Sequence, residues 1–118
     1  MKIICLKNNL KEAVYLCEKI TGKNLSLPIL SNILISTEDR NLKLTATNLE
    51  IGIEVEISAK VEKKGRVAAP ANILSGFISN ISNEENITLE SQNENLFVST
   101  LNSSTLIKGQ KPDDFPIL

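Results

Sequence analysis

The chain of 118 residues contains no histidine. That removes the commonest general base and metal ligand, and with it any Ser-His-Asp or Cys-His nucleophile pair and every His-containing zinc site. What remains for acid–base work is two carboxylate pairs, Glu84/Glu85 and Asp113/Asp114. Both stand in polar, turn-like stretches, where water keeps carboxylates ordinary, so an enzyme built on them is not expected. Cys5 and Cys17 are the only thiols. They fall within apolar pattern and, with no export signal at the start, read as reduced core side chains. Asn-x-Ser/Thr triplets begin at Asn24, Asn80, Asn86 and Asn102 and reflect an Asn- and Ser-rich composition rather than glycan acceptors. No catalytic group, metal site or cofactor is expected.

With 42% hydrophobic and 23% charged residues, the chain suits one soluble globular domain. No apolar run approaches the ~18 residues of a membrane span, and the start lacks a signal peptide, so a cytoplasmic protein without a membrane partner is expected. The net charge of −1 hides an asymmetry: residues 1–66 carry eleven Lys/Arg against eight Asp/Glu, and residues 67–118 carry two against six. The halves are therefore +3 and −4. That is either scatter on a wet surface or a dipolar domain offering different faces to different partners.

The elements that would position any such face follow from periodicity. Residues 2–6 read as a short β-branched strand. Leu10, Ala13, Val14, Cys17 and Ile20 predict a helix over 9–21, with Asn9 as N-cap, Glu12 closing a capping box and Gly22 as the stop. Lys11, Tyr15, Glu18 and Lys19 fall on its other side. Pro28 excludes a regular helix around Leu27–Leu30. Strands follow at 33–37 and 42–47, and the clearest one alternates Ile51, Ile53, Val55 and Ile57 with polar residues. Lys60 to Gly65 reads as a charged turn.

Then the order begins again. A strand at 66–69 leads through Pro70 into a helix over 71–81, followed by strands at 87–91, 96–100 and 104–108. The order is thus strand-helix-strand-strand-strand, twice, and such units can join their strands in one layer with both helices on the same face. The second helix carries two apolar stripes, Ala71/Leu74/Ile78 and Ile73/Phe77/Ile81. Three such side chains left in water would forfeit on the order of 5 kcal/mol, so the second stripe is either more core or a subunit interface. An exposed edge strand at 103–107 would extend such an interface.

In order and spacing, several segments resemble one family. They are Thr21-Gly22, Leu27-Pro28-Ile29-Leu30-Ser31-Asn32-Ile33, Leu44-Thr45-Ala46-Thr47-Asn48-Leu49-Glu50, Ala69-Pro70-Ala71 and Asp114-Phe115-Pro116. The whole chain resembles the N-terminal domain of the bacterial sliding clamp, the β subunit of DNA polymerase III. The resemblance implies an α+β DNA-clamp domain of two βαβββ units, with two helices on one face of a curved, mostly antiparallel sheet layer. It further implies that residues 1–118 are one of three domains of a subunit. Two subunits would close head to tail around duplex DNA and tether the replicative polymerase without catalysis.

The same resemblance implies the site residues. Lys23 and Asn24 stand just before the Leu-Pro segment, where the family usually has one basic residue that reaches DNA. Asn72 stands at the start of the second helix, where some members are basic. Lys11 and Lys19 are further DNA-facing candidates by helix face. The ring interface is implied at Ile73, Phe77, Ile81, Thr105 and Ile107. Expected partners are duplex DNA, a second clamp subunit, and the clamp loader and polymerase, whose main peptide pocket would lie outside this stretch. The competing expectation is a self-associating β-rich interaction domain unrelated to DNA.

Overall fold

The computed structural model describes residues 1–21, 27–81 and 86–116. Its strands are β1 (Lys2–Leu6), β2 (Asn32–Glu38), β3 (Asn41–Thr47), β4 (Gly52–Ser58), β5 (Lys60–Lys63), β6 (Arg66–Pro70), β7 (Asn86–Gln92), β8 (Asn95–Ser99) and β9 (Ser104–Ile107). Helix α1 spans Lys7–Ile20 and α2 spans Ala71–Ser79. The strands form two sheets, ordered β5-β1-β7-β8-β9 and β4-β3-β2-β6. Every pairing between these strands is antiparallel.

The doubled unit is present, with an exchange between its halves. The first strand of each half pairs into the other half's sheet, β1 beside β7 and β6 beside β2. The halves therefore cannot separate without breaking ladder hydrogen bonds. Lys2 and Arg66 open equivalent strands, Lys7 and Ala71 equivalent helices, and Asn32 and Asn86 equivalent third elements. The first two offsets are 64 positions and the third is 54. The ten positions are absorbed by a longer first helix, 14 residues against 9, and a longer connection behind it.

Both helices bury their stripe in one shared core. Leu10, Ala13, Val14 and Cys17 of α1 and Ala71, Leu74 and Ile78 of α2 meet the inner residues of both sheets, among them Ile3, Ile35, Leu44, Leu89 and Val98. Each such Leu- or Ile-sized side chain contributes ~1.5–3 kcal/mol of burial. The pleat explains the alternation along β1, where Ile3 and Cys5 point inward and Leu6 is exposed.

Three expectations are corrected. Helix α1 starts at Lys7, directly from the strand, with extended Leu6 as N-cap and no side-chain cap, so the Asn9/Glu12 box does not form. The proposed stop at Gly22 lies outside the described residues. Helix α2 ends at Ser79, where the Asn80 side-chain amide donates to the Gly76 carbonyl at 2.9 Å. The charged turn at Lys60 to Gly65 contains a strand: the chain bends at Ala59, and β5 crosses to the other sheet to pair with β1. Lysines on this edge strand discourage further strand addition.

The sequence motifs acquire structural reasons. Residues Pro28–Ser31 form a 3-10 turn that inserts Ile29 and Leu30 beside Ala68 and Phe115, so the Leu-Pro-Ile-Leu and Asp-Phe-Pro segments meet in a small second core. Arg66 pairs with Asp113 and fastens the same C-terminal segment. Thr47-Asn48-Leu49-Glu50 is a tight turn in which Asn48 Oδ1 accepts from the Glu50 and Ile51 N–H groups at 2.9 and 3.0 Å. Thr47 Oγ1 accepts from the Leu49 N–H at 3.0 Å and donates to the Ile51 carbonyl at 2.8 Å. Leu49 is thereby held at φ 76°, the left-handed region that leucine rarely enters. Gly109 has no room for a side chain, since a Cβ would collide with the Ala68 and Glu94 carbonyl oxygens. Its neighbour Gln110 makes a single bridge to Ala68.

Candidate nucleic-acid interface

The charged candidate face is the side of α1 turned away from the core. Lys11, Tyr15 and Lys19 recur every four residues, which places them in one row along the helix. All three are exposed. The row borders a groove between the helices, lined by Asn8, Lys11, Glu12 and Tyr15 from α1 and Ser75, Ile78 and Ser79 from α2. The helices are tied across it by the Ser75 hydroxyl and Glu18 Oε1, 3.1 Å apart. Lys19 lies over the Tyr15 ring, with Nζ 4.4 Å from the centroid. Among the described residues, neither Lys11 nor Lys19 makes an ion pair with a carboxylate.

The face is only lightly charged. Lys11 and Lys19 are offset by Glu12 and Glu18, while α2 carries no ionisable residue from Ala71 to Ser79. Such a surface can touch phosphates but cannot grip them, and it offers hydroxyls and amides rather than base-reading forks.

Of the other residues expected to meet DNA, Lys23 and Asn24 lie outside the described residues. Asn72 is exposed at the first turn of α2, but its side-chain oxygen accepts from the Ile73 N–H at 2.9 Å.

The apolar candidate face is rearranged relative to expectation. Ile73 is 53% exposed and Phe77 is half-buried against the core. Ile81 and Ile107 are buried at 8% and 3% exposure, and both belong to the core. Thr105 and Ile107 stand opposite Val98 and Leu96 on the inner side of β9. The outward apolar side chain of β9 is therefore Leu106, 50% exposed, and Leu101 in the preceding turn is 90% exposed. Sequence reasoning missed both. The signal was the alternation Thr105-Leu106-Ile107, which sends Leu106 to the face opposite its neighbours. Among the described residues, β9 pairs with β8 and with no other strand, which leaves its far edge open.

The groups considered for chemistry are placed as follows. Burial pushes the Cys5 thiol up to about 12 and the Cys17 thiol up to about 11. At neutral pH both are protonated and unreactive. Asp113 is committed to Arg66. Glu84 and Glu85 lie outside the described residues. Among the described residues, no three His, Cys, Asp or Glu side chains cluster as metal ligands. Lys43 is held above its ordinary pKa, first by its hydrogen bond to Glu38 and then by Glu54, on the face of β3 away from the helices. Among the described residues, no helix is long and apolar enough to cross a membrane.

Known proteins share this arrangement. The family model described as "DNA polymerase III beta subunit, N-terminal domain" matches residues 1–118. The beta sliding clamp of Synechocystis is 32% identical over 127 residues, and that of Synechococcus elongatus 29% over 120. Both alignments cover 100% of this chain and 32% of the relative, so the chain spans about a third of the length of those proteins. A solved structure, "Caulobacter crescentus pol III beta", superposes with a TM-score of 0.94 at 26% identity, over 100% of this chain and 32% of that one. With the match running from the first residue to the last, the chain belongs to the family of DNA polymerase III beta subunit N-terminal domains.

Proposed function

We propose that this chain is one sector of a ring that encircles duplex DNA and slides along it, holding the replicative polymerase to its template. Two more such domains would complete a subunit, and two subunits the ring. The reading rests above all on the exposed row Lys11, Tyr15 and Lys19 with Glu12 and Ser79 beside the groove between the helices, which is lightly charged, while Leu10, Ala13, Val14, Cys17, Ala71, Leu74 and Ile78 are consumed by the core. Such a face can line a channel without binding tightly.

The mechanism is topological. A closed ring leaves DNA only when an interface opens, so retention does not depend on the strength of phosphate contacts. Weak contacts then favour sliding, because each must break at every step. Two lysines on phosphate give a salt slope of about −1.8, or roughly tenfold lower affinity between 50 and 200 mM salt. The open edge of β9, with Ile73, Phe77 and Leu106, would carry the contact to a second subunit. Clamp loader and polymerase would be the other partners, in the cytoplasm, and no step would need a catalytic residue.

The test is titration of this chain with short duplexes of unrelated sequence at several salt concentrations. The expected result is weak, sequence-independent binding with that shallow slope, steepened by about 0.9 in Glu12→Lys. Nanomolar binding insensitive to salt would overturn the reading. A second reading, self-association unrelated to DNA, is favoured by the exposure of Ile73, Leu101 and Leu106. It predicts sedimentation as a dimer with no DNA binding at low salt.

A further inference from the structure

We infer that Tyr15 is a positioning residue for Lys19: its ring holds the ammonium against the helix surface in an orientation ready for a DNA phosphate. The inference rests on the DNA reading above and goes beyond it by assigning a role to the exposed aromatic ring beside Lys19. Tyr15 is 55% exposed, which wastes most of a ring's burial value if it serves only as packing. Its position four residues before Lys19 lets the lysine stem fold back over it. The 4.4 Å separation of Nζ from the ring centroid is close enough for the ring's quadrupole to attract the cation.

The physical gain is entropic. A free lysine side chain is among the costliest to immobilise. A lysine already resting on a ring has lost part of that freedom before DNA arrives. The ring occupies one flank of the ammonium and leaves N–H donors for phosphate on the other. No competing carboxylate intervenes: among the described residues Lys19 has no ion pair, and Glu18 beside it accepts from Ser75.

An exposed cation–π contact corresponds to roughly two- to fivefold in affinity. The opposite sign is equally definite: if the ring competes with phosphate for the ammonium, its removal tightens binding.

The experiment uses the intact chain and a 12-base-pair duplex, comparing wild type, Tyr15→Ser, Tyr15→Phe and Lys19→Gln. The expected result is two- to fivefold weaker binding in Tyr15→Ser with an unchanged salt slope, since no charge is lost. Tyr15→Phe keeps the ring and is expected to bind as wild type. Lys19→Gln is expected to lower the slope by about 0.9 and to make the Tyr15→Ser change silent in the double variant. The Lys19 ε-methylene protons should show an upfield ring-current shift that persists with DNA bound. Tighter or unchanged binding in Tyr15→Ser would overturn the inference, as would equal losses in Tyr15→Phe and Tyr15→Ser. If instead Lys11→Gln/Lys19→Gln leaves binding and slope unaltered, the DNA reading itself falls, and the two failures are told apart by that variant.

Discussion

The two halves of the molecule share an order of elements and differ in what their helices show to solvent. Helix α1 exposes Asn8, Asn9, Lys11, Glu12, Tyr15, Leu16 and Lys19, whereas α2 exposes Asn72, Ile73, Gly76 and Ser79. Their inner faces are nearly interchangeable, and both feed one core. The ends of the halves differ as well. After β4 the first half continues into β5 and covers β1 with a four-residue strand, while after β9 the second half makes a bridge from Gln110 to Ala68 and sends Phe115 into the small second core. The comparison teaches that a duplicated scaffold needs duplication only where it packs. Its outer surfaces are free to diverge, one into a row of Lys11, Tyr15 and Lys19, the other into exposed apolar side chains such as Ile73 and Leu106.

The strongest way to break this comparison is to delete equivalent core side chains. Leu42 and Leu96 occupy matching positions on β3 and β8, and both are fully buried. Leu42→Ala and Leu96→Ala should each destabilise by ~2–5 kcal/mol, and by similar amounts, in urea unfolding. A loss in one that exceeds the other severalfold would mean the halves do not share a core.

Next in size is the pH dependence of the two thiols, both contributed by the first half. Their folded pKa values of about 12 and 11 lie above the ordinary 9.0. The folded chain therefore keeps protons that the unfolded chain loses. This stability is fully present below pH 9 and falls as pH rises toward the folded values. Denaturant midpoints measured across that range should decline, and by less in Cys5→Ala/Cys17→Ala. Native thiols should also resist a thiol reagent at pH 8 until the chain is unfolded.

The smallest effect sharpens the contrast between the outer faces. Ile73→Asp and Leu106→Asp lie on the surface of the second half and should change stability by about 0.5 kcal/mol or less. In sedimentation they should abolish any self-association of the chain. Glu12→Gln on α1 should leave association untouched and act only on DNA binding. Dispersal by the α1 variant would dissolve the distinction.

Legibility followed the strength of the local pattern. The stripe Leu10/Ala13/Val14/Cys17 and the alternation Ile53/Val55/Ile57 announce α1 and β4, because burial on one face imposes the period. Strand β5 was invisible because Lys60-Val61-Glu62-Lys63 holds a single apolar residue, and its pairing with β1 is a long-range event. The start of α1 was misplaced because Lys7, a charged residue, is almost fully buried at the helix entrance. The charged face could be read from helix spacing, since Lys11 and Lys19 have few alternatives to solvent. The apolar face could not, because Ile81 and Ile107 look like Ile73 and Leu106 in composition. Only the pleat of β9 and the end of α2 decide which ones the core takes.

The most direct test of the central claim, that the paired helices turn their outer face to DNA, is chemical-shift mapping of the isotope-labelled chain with a short duplex at low salt. The account predicts shifts concentrated at Lys11, Tyr15, Lys19, Ser75 and Ser79, with none at Glu54 and Glu56 on the exposed side of β4. Shifts centred on β4 or on the Lys60–Lys63 edge, with the helices silent, would contradict it.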